Sequence, residues 1–277
     1  MNIKTVWAVY FSGTGTTEKV ATYLAKSLAQ SLGVEYKAHN YTQPAGRTQE
    51  LDFGPEDLVV LGTPVYAGRV PNLLLPFVQN SIHGNGTLAV PMVMFGNRNF
   101  DDGLMELKNV MAGNGFCPIS AAAIVGEHAF STILGAGRPD GADMALVDDL
   151  AQKTAEKVQG LTALPEQPVQ VEGCDPIRPY YTPRDRNGDP IKDFLKAKPV
   201  TDMDKCVNCG LCARLCPMSA IDHADVSSVI GKCIKCCACV KKCPTKAKSF
   251  THEGYLYHQH ELEDQYAGRR AESKIFI

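Results

Sequence analysis

Eight of the eleven cysteines fall in two short runs, CVNCGLCARLCP at 206–217 and CIKCCACVKKCP at 233–244, and both space their cysteines as C-x2-C-x2-C-x3-C-P. This pattern restricts the chain more than any other feature. Four soft thiolates per run suit iron and sulfide, and the tight turns between them let three sulfurs converge on one face of a cluster. Pairs of C-x-x-C also build zinc sites. Zinc, however, has no use for a third cysteine at the next step or for the closing Cys-Pro. The flanks repeat as well, KCVNCGLCARLCPMSAID against KCIKCCACVKKCPTKAKSF. That repeat predicts a pseudo-twofold unit of short strands and helices, with a core so small that its metal must hold it together.

The two runs resemble the bacterial two-cluster ferredoxins. In that family the first three thiolates of a run hold one 4Fe-4S cube and the fourth reaches across to the other. The resemblance implies two 4Fe-4S clusters, one on Cys206, Cys209, Cys212 and Cys243, the other on Cys233, Cys236, Cys239 and Cys216. Cys237 stands where the first run has Gly210 and is expected to be a small packed thiol. A redox or alternative ligand role is the other reading. Cys117 and Cys174 are expected to be ordinary thiols.

Length and composition leave room for more than this unit. The chain has 277 residues, 44% hydrophobic and 21% charged, as in an ordinary globular protein with one large and one small domain. A formal charge of −2 argues against a general nucleic-acid binder. Residues 1–160 carry 11 Lys/Arg against 15 Asp/Glu, and residues 199–250 carry 8 against 4. Each oxidised cube with four thiolates adds about −2, so the basic residues of the second segment offset its own cofactors. The apolar run Val6–Phe11 is too short for a signal sequence, and no 18-residue apolar stretch follows. With eight cysteines assigned to clusters, a reducing cytoplasm is the expected location, in an anaerobic or low-oxygen cell.

The N-terminal half alternates strand and helix patterns. TVWAVYF (5–11) reads as a buried strand, and Val20, Leu24, Leu28 and Leu32 recur at helical spacing behind it. Between them, Ser12, Gly13, Thr14, Gly15, Thr16 and Thr17 join a strand end to a helix N-terminus, where free N–H groups and the helix dipole favour a phosphate. The loop contains no Lys or Arg, lacks the spacing of a P-loop or dinucleotide site, and taken alone is equally a Ser/Thr helix cap. Further strands are predicted at 34–40, 57–62, 88–95 and around 119–125, with helices near 71–82, 101–114 and 141–160. Five strands alternating with helices predict a parallel α/β sheet that binds ligands at its strand C-terminal ends.

With SGTGTT after the first strand, TPVYAG after the third and FGNRN after the fourth, residues 1–160 resemble the flavodoxin family. The resemblance implies a flavodoxin-like, doubly wound, five-stranded parallel sheet and FMN as cofactor. The phosphate would lie on Ser12–Thr17 and the isoalloxazine between Thr63, Pro64, Val65, Tyr66, Ala67 and Gly68 on one side and Phe95, Gly96, Asn97, Arg98 and Phe100 on the other. Tyr66 is the best candidate to stack on the ring; Phe100 is a weaker one that core packing explains as well. Ala67 and Gly68 are small enough for a backbone carbonyl to approach flavin N5. As a whole the chain resembles the anaerobe-type fusions of a flavodoxin domain with a small α+β two-cluster 4Fe-4S ferredoxin domain. One departure from ordinary flavodoxins is the pair Arg69 and Arg98. If they lie near the flavin, they predict a less negative hydroquinone potential; both can instead point to solvent or grip a neighbouring domain.

The domain reading is a flavodoxin-like unit at 1–160, a Pro/Gly-rich linker at 161–198, the ferredoxin unit at 199–253 and a docking tail at 254–277. The stretch 126–143 is expected either to cover the flavin or to face the clusters, with His128 a hydrogen-bonding loop residue. Tyr180 and Tyr181 are expected to pack against a domain. His258 and His260 are expected on a solvated face.

Three redox centres on one chain make electron relay between the clusters and FMN the leading function, with redox proteins as partners, no nucleic acid, no membrane span, and a homodimer as an option. Two alternatives belong to other classes. One is an FMN-dependent reductase of a quinone, nitro compound or oxygen, fed by its own clusters. The other is a ferredoxin whose first domain is a flavin-free docking module.

Overall fold

The computed structural model describes residues 1–277. Its centre is a twisted sheet built from β1 (Thr5–Tyr10), β2 (Glu35–Asn40), β3 (Asp57–Pro64), β4 (Thr87–Phe95) and β5 (Ala121–Val125), all parallel, in the spatial order β2-β1-β3-β4-β5. Every residue of β4 and β5 is buried, as expected of strands covered on both faces. α1 (Thr16–Leu32) and α4 (Gly141–Gly160) cover one face, and α2 (Leu75–Ser81) and α3 (Gly103–Gly113) the other. α1 turns Val20, Leu24 and Leu28 inward together with Ala21, Ala25 and Ala29, whose small side chains let it lie close on the sheet, and ends at Gly33 in a left-handed cap.

The sheet has seven strands in all: the short segment Phe116–Pro118 also pairs parallel with the start of β4, and one further strand is antiparallel. The last residues of the chain form β8 (Lys274–Phe276), which pairs antiparallel with β5 and closes the edge that β5 would otherwise expose. Ser273 fixes its approach by accepting from the Val125 N–H (3.0 Å) and donating to Asp143 (2.6 Å). The tail thus docks on the first domain.

The segment at 161–198 is strapped down rather than free. Val169 is buried in the core beside α3, and its N–H donates to Pro118 O (2.8 Å). Asp102, 1% exposed at the N-terminus of α3, accepts from the N–H groups of Cys174 and Arg178 and from the Arg178 guanidinium (2.8 and 2.7 Å). Hydrogen bonding to Arg178 holds its carboxyl well below the usual range. The apolar Val169 and the buried Asp102 carboxylate, which pairs with the exposed Arg178, tie this Pro/Gly-rich segment to the first domain.

The small unit contains β6 (Val200–Thr201), α5 (Leu211–Arg214), α6 (Ala238–Lys241) and β7 (Lys248–Ser249), with β6 and β7 antiparallel. It is followed by α7 (Glu253–Tyr266), which leads the chain back to β8. The unit is therefore anchored to the first domain at both of its ends.

Candidate redox site

The cysteine repeat is repeated in backbone geometry. Positive φ occurs at Asn208, Gly210 and Ser219 in the first copy and at Lys235, Cys237 and Lys246 in the second, at matching offsets. Ala220 N–H and Ala247 N–H each donate to the cysteine four residues earlier, Cys216 and Cys243 (3.2 Å each). Two pockets result. Cys206, Cys209, Cys212 and Cys243 line the outer one, and Cys216, Cys233, Cys236 and Cys239 the inner one. Each pocket therefore holds three thiols of one run and the fourth of the other. No three His, Cys, Asp or Glu side chains converge on a point where a single ion could sit. Four soft thiols standing around a space are the donor set that fits an iron–sulfur cube.

The two pockets differ in their surroundings. Cys209 is exposed and Val207 beside it is 64% exposed, whereas Cys236 is buried at 7%. Burial pushes the thiols of Cys236 and Cys239 up to about 12. Cys237 also lines the inner pocket; it is 3% exposed, and its Sγ lies 3.3 Å from the Tyr255 hydroxyl.

The inner pocket lies against the loop at the end of β1. A Cβ placed on Gly13 would stand 2.9 Å from Cys236 Cβ and 3.5 Å from the Tyr66 hydroxyl, so only glycine fits there. Gly15 takes φ 104 to start α1, and its N–H donates to Ser12 Oγ (3.1 Å). Ser12 is tied back through its own N–H to Thr42 Oγ1 (2.8 Å). The N–H groups of Gly13, Thr14, Thr16 and Thr17 have no partner within the protein. A row of free donors at the N-terminus of a 17-residue helix fits the phosphate of FMN.

Burial pushes the Tyr66 phenol well above the usual value, and its ring, half-buried, stands edge-on to Phe11 at 6.5 Å. The turn it belongs to is already tied: Tyr66 O accepts from Arg69 N–H, Gly68 O from Asp102 N–H and Ala67 O from Tyr181 N–H (2.9 Å). A carbonyl has two lone pairs, so Ala67 O can accept a second hydrogen bond. Val65 is held by its N–H to Met94 O (2.8 Å).

Several other residues of the two loops face elsewhere. Thr63 is fully buried, with its hydroxyl turned to Pro64 O. Phe95 and Phe100 pack on each other in the core, ring centres 5.5 Å apart, which removes Phe100 as a stacking residue. The Asn97 amide serves the tail, donating to Tyr266 O and Arg269 O and accepting from Ala271 N–H. Gly96 backs directly onto His128. The His128 ring accepts from Phe130 N–H at Nδ1, and burial pushes its pKa down to about 4, so it is neutral. His258 is buried between Phe130 and Phe194 rather than solvated.

The arginines are not free cations. Arg69 forms a forked pair with buried Glu106 and covers the Tyr180 ring at 4.2 Å. Arg98 pairs with Asp101 (2.6 Å) and covers Tyr181 at 5.1 Å. With a carboxylate beside each guanidinium, the raised potential expected from the sequence loses its support. Arg98→Ala is expected to lower a bound flavin's reduction potential and Asp101→Asn to raise it, with the double variant near the parent in spectroelectrochemical titration. Three unchanged potentials would remove both residues from the flavin's surroundings.

Sequence reading had no signal for what the second domain brings here. Lys241 of α6 is gripped by Glu127 and by the carbonyls of His128 (2.6 Å) and Ser131 (2.8 Å), which answers the question of what 126–131 faces. Arg47 donates to Tyr41 O and Thr42 O on one side and Pro217 O on the other (2.6–2.7 Å). These contacts join residues over a hundred positions apart.

Comparison with known proteins agrees with this architecture. Residues 8–99 match the family model of the flavodoxin domain, and residues 199–222 that of the 4Fe-4S binding domain, which covers the first cysteine run. No curated protein sequence matches the chain. Among solved structures, a flavodoxin from the domain Archaea is 14% identical, with TM-score 0.41, over 57% of this chain and 99% of its own. A Streptococcus pneumoniae flavodoxin is 18% identical, with TM-score 0.39, over 55% and 99%. The rubredoxin:oxygen oxidoreductase of Desulfovibrio gigas is 18% identical, with TM-score 0.37, over 57% of this chain and 37% of its own. The flavodoxin-domain match thus precedes the 4Fe-4S match along the chain, in line with a flavodoxin–ferredoxin fusion. No helix is long and apolar enough to cross a membrane.

Proposed function

We propose that this protein carries two 4Fe-4S clusters and FMN and relays electrons between them and redox protein partners. The observation that carries the reading is the packing of Cys236, a thiol of the inner pocket, on Gly13 of the phosphate loop. Cys206, Cys209, Cys212 and Cys243 would hold one cluster, Cys216, Cys233, Cys236 and Cys239 the other, and Ser12–Thr17 the FMN phosphate. Bound there, each cluster supplies one-electron chemistry and FMN one- or two-electron chemistry.

The chain's own residues do the positioning. Glu127, His128 O and Ser131 O hold Lys241, while Arg47 bridges to Pro217, so the inner thiols are fixed against the phosphate loop from two sides. Tyr181 and the tail cover the loops at 66–69 and 96–98. Of the outer thiols, Cys209 is exposed beside exposed Val207, where a protein partner can approach. Distance is what such a fusion controls, since a covalently joined pair needs no diffusional encounter.

An anaerobic redox titration of purified protein, following flavin and iron–sulfur absorbance together, tests this. The expected result is about eight irons and one FMN per chain, with both kinds of centre titrating. Iron at that level with no flavin bound, even when FMN is supplied, would make the first domain a docking module and overturn the relay.

A further inference from the structure

A phosphomonoester carries a charge of about −1.5 to −2 at neutral pH, and the loop at 12–17 meets it with neutral donors only. The second domain supplies what the loop lacks. A Cβ grown on Gly15 would stand 3.7 Å from Lys242 Nζ, which places that ammonium directly over the turn where α1 begins. The neighbouring Lys241 is committed to Glu127 and two carbonyls, whereas Lys242 has no carboxylate partner within the chain. The acidic residue nearest in sequence to the loop, Glu18, is engaged by the Tyr10 hydroxyl (2.9 Å). The same wall presses Cys236 on Gly13, so the loop is closed by two residues of the second cysteine run.

We infer that Lys242 is the cationic partner of the flavin's phosphate, so that the phosphate site is shared between the two domains and is complete only when they are docked. This rests on the flavin reading above. The 126–131 grip on Lys241 fixes the backbone one residue before Lys242, whose ammonium stands beside the turn that carries the Thr14–Thr17 donors. Retention of FMN thereby becomes a reporter of domain docking, and binding of either domain's cofactor favours the arrangement the other needs.

The test compares FMN with riboflavin, which lacks the phosphate, on the full chain with its iron in place. Lys242→Gln is expected to weaken FMN binding about two- to fivefold, the worth of one charge pair at an exposed site. Riboflavin affinity should stay unchanged, and Lys242→Arg should bind FMN as the parent does. The parent's FMN affinity should fall with added salt more steeply than that of the Gln variant, a readout that does not depend on the size of the loss. Equal FMN affinity and equal salt slopes in parent and Gln variant would overturn the inference while leaving the flavin in place. So would a loss shared equally by riboflavin. A parent chain that binds neither flavin would overturn the flavin reading, and this inference with it.

Discussion

Stripping the iron under anaerobic conditions is expected to unfold residues 199–250 while the flavodoxin domain stays folded. Apart from the aromatic cluster around Phe250 and Tyr255 and its contacts with the first domain, the small unit has little core of its own. One of its cores consists of Ala213, Ile221 and Val226, and the partly buried side chains packed on them are mostly thiols of the two cysteine runs, Cys206, Cys212, Cys216 and Cys239. Its regular structure amounts to two two-residue strands and two four-residue helices. Metal binding at structural sites supplies on the order of 10 kcal/mol, comparable to the whole stability of a domain. Limited proteolysis reads the effect. Cleavage at Lys205, Arg214, Lys232 and Lys246 should appear on chelation, with β1–β5 still protected. Unchanged protection after complete iron loss would mean that the contacts of α6 and Arg47 with the first domain suffice alone.

Asp143→Ala is expected to cost about 3 kcal/mol, because it leaves the buried Arg138 guanidinium only the more distant Asp140 carboxylate (3.6 Å), which Arg270 shares. The side chains of Arg138 and Asp143 are 5% and 2% exposed and meet in a forked pair. Asp143 also accepts from the Ser273 hydroxyl (2.6 Å) and from Asp140 N–H (2.9 Å), the second bond being half of a capping box that starts α4. One side chain thus joins helix start, loop and terminal strand. Denaturant unfolding followed through Trp7, the single tryptophan, should show the midpoint fall accordingly; a shift worth under about 1 kcal/mol would show that the loop rearranges to solvate Arg138. The parent's pH dependence has a definite sign. Burial pushes the Asp143 carboxyl up, but donation from Arg138, Ser273 and Asp140 outweighs it and leaves it lowered. A depressed folded-state value means that the contribution is present above the ordinary carboxylate range, about 3.9, and is lost as pH falls through the folded value. The Ala variant should lack that acid-side component.

The packing also shows why the protein cannot work as two beads on a string. Val169, Arg178 and Tyr181 bind the connecting segment to the first domain, and β8 returns the tail to the same sheet. Both ends of the cluster unit are held, which limits how far the inner thiols can depart from the phosphate loop.

The sequence by itself determined the local pieces. Cysteine spacing set the left-handed turns that gather three thiols of each run, while the fourth thiol of each pocket, crossing from the other run, was implied only by the ferredoxin resemblance. Alternation of apolar runs with helical periods set the parallel sheet, and the Ser-Gly-Thr-Gly-Thr-Thr stretch set a donor-rich helix start, since each depends on neighbours within a few residues. Tertiary structure alone decided the rest. Phe100 and Asn97 looked available to a flavin, but core packing claimed one and the tail the other. Arg69 and Arg98 looked like free charges until Glu106 and Asp101 met them. Lys242 and Cys236 reach the phosphate loop over more than 200 positions of sequence, and no periodicity or motif encodes such an approach. The physical reason is that spacing reports bonds a chain makes with itself nearby, whereas a shared site between domains depends on which surfaces bury each other.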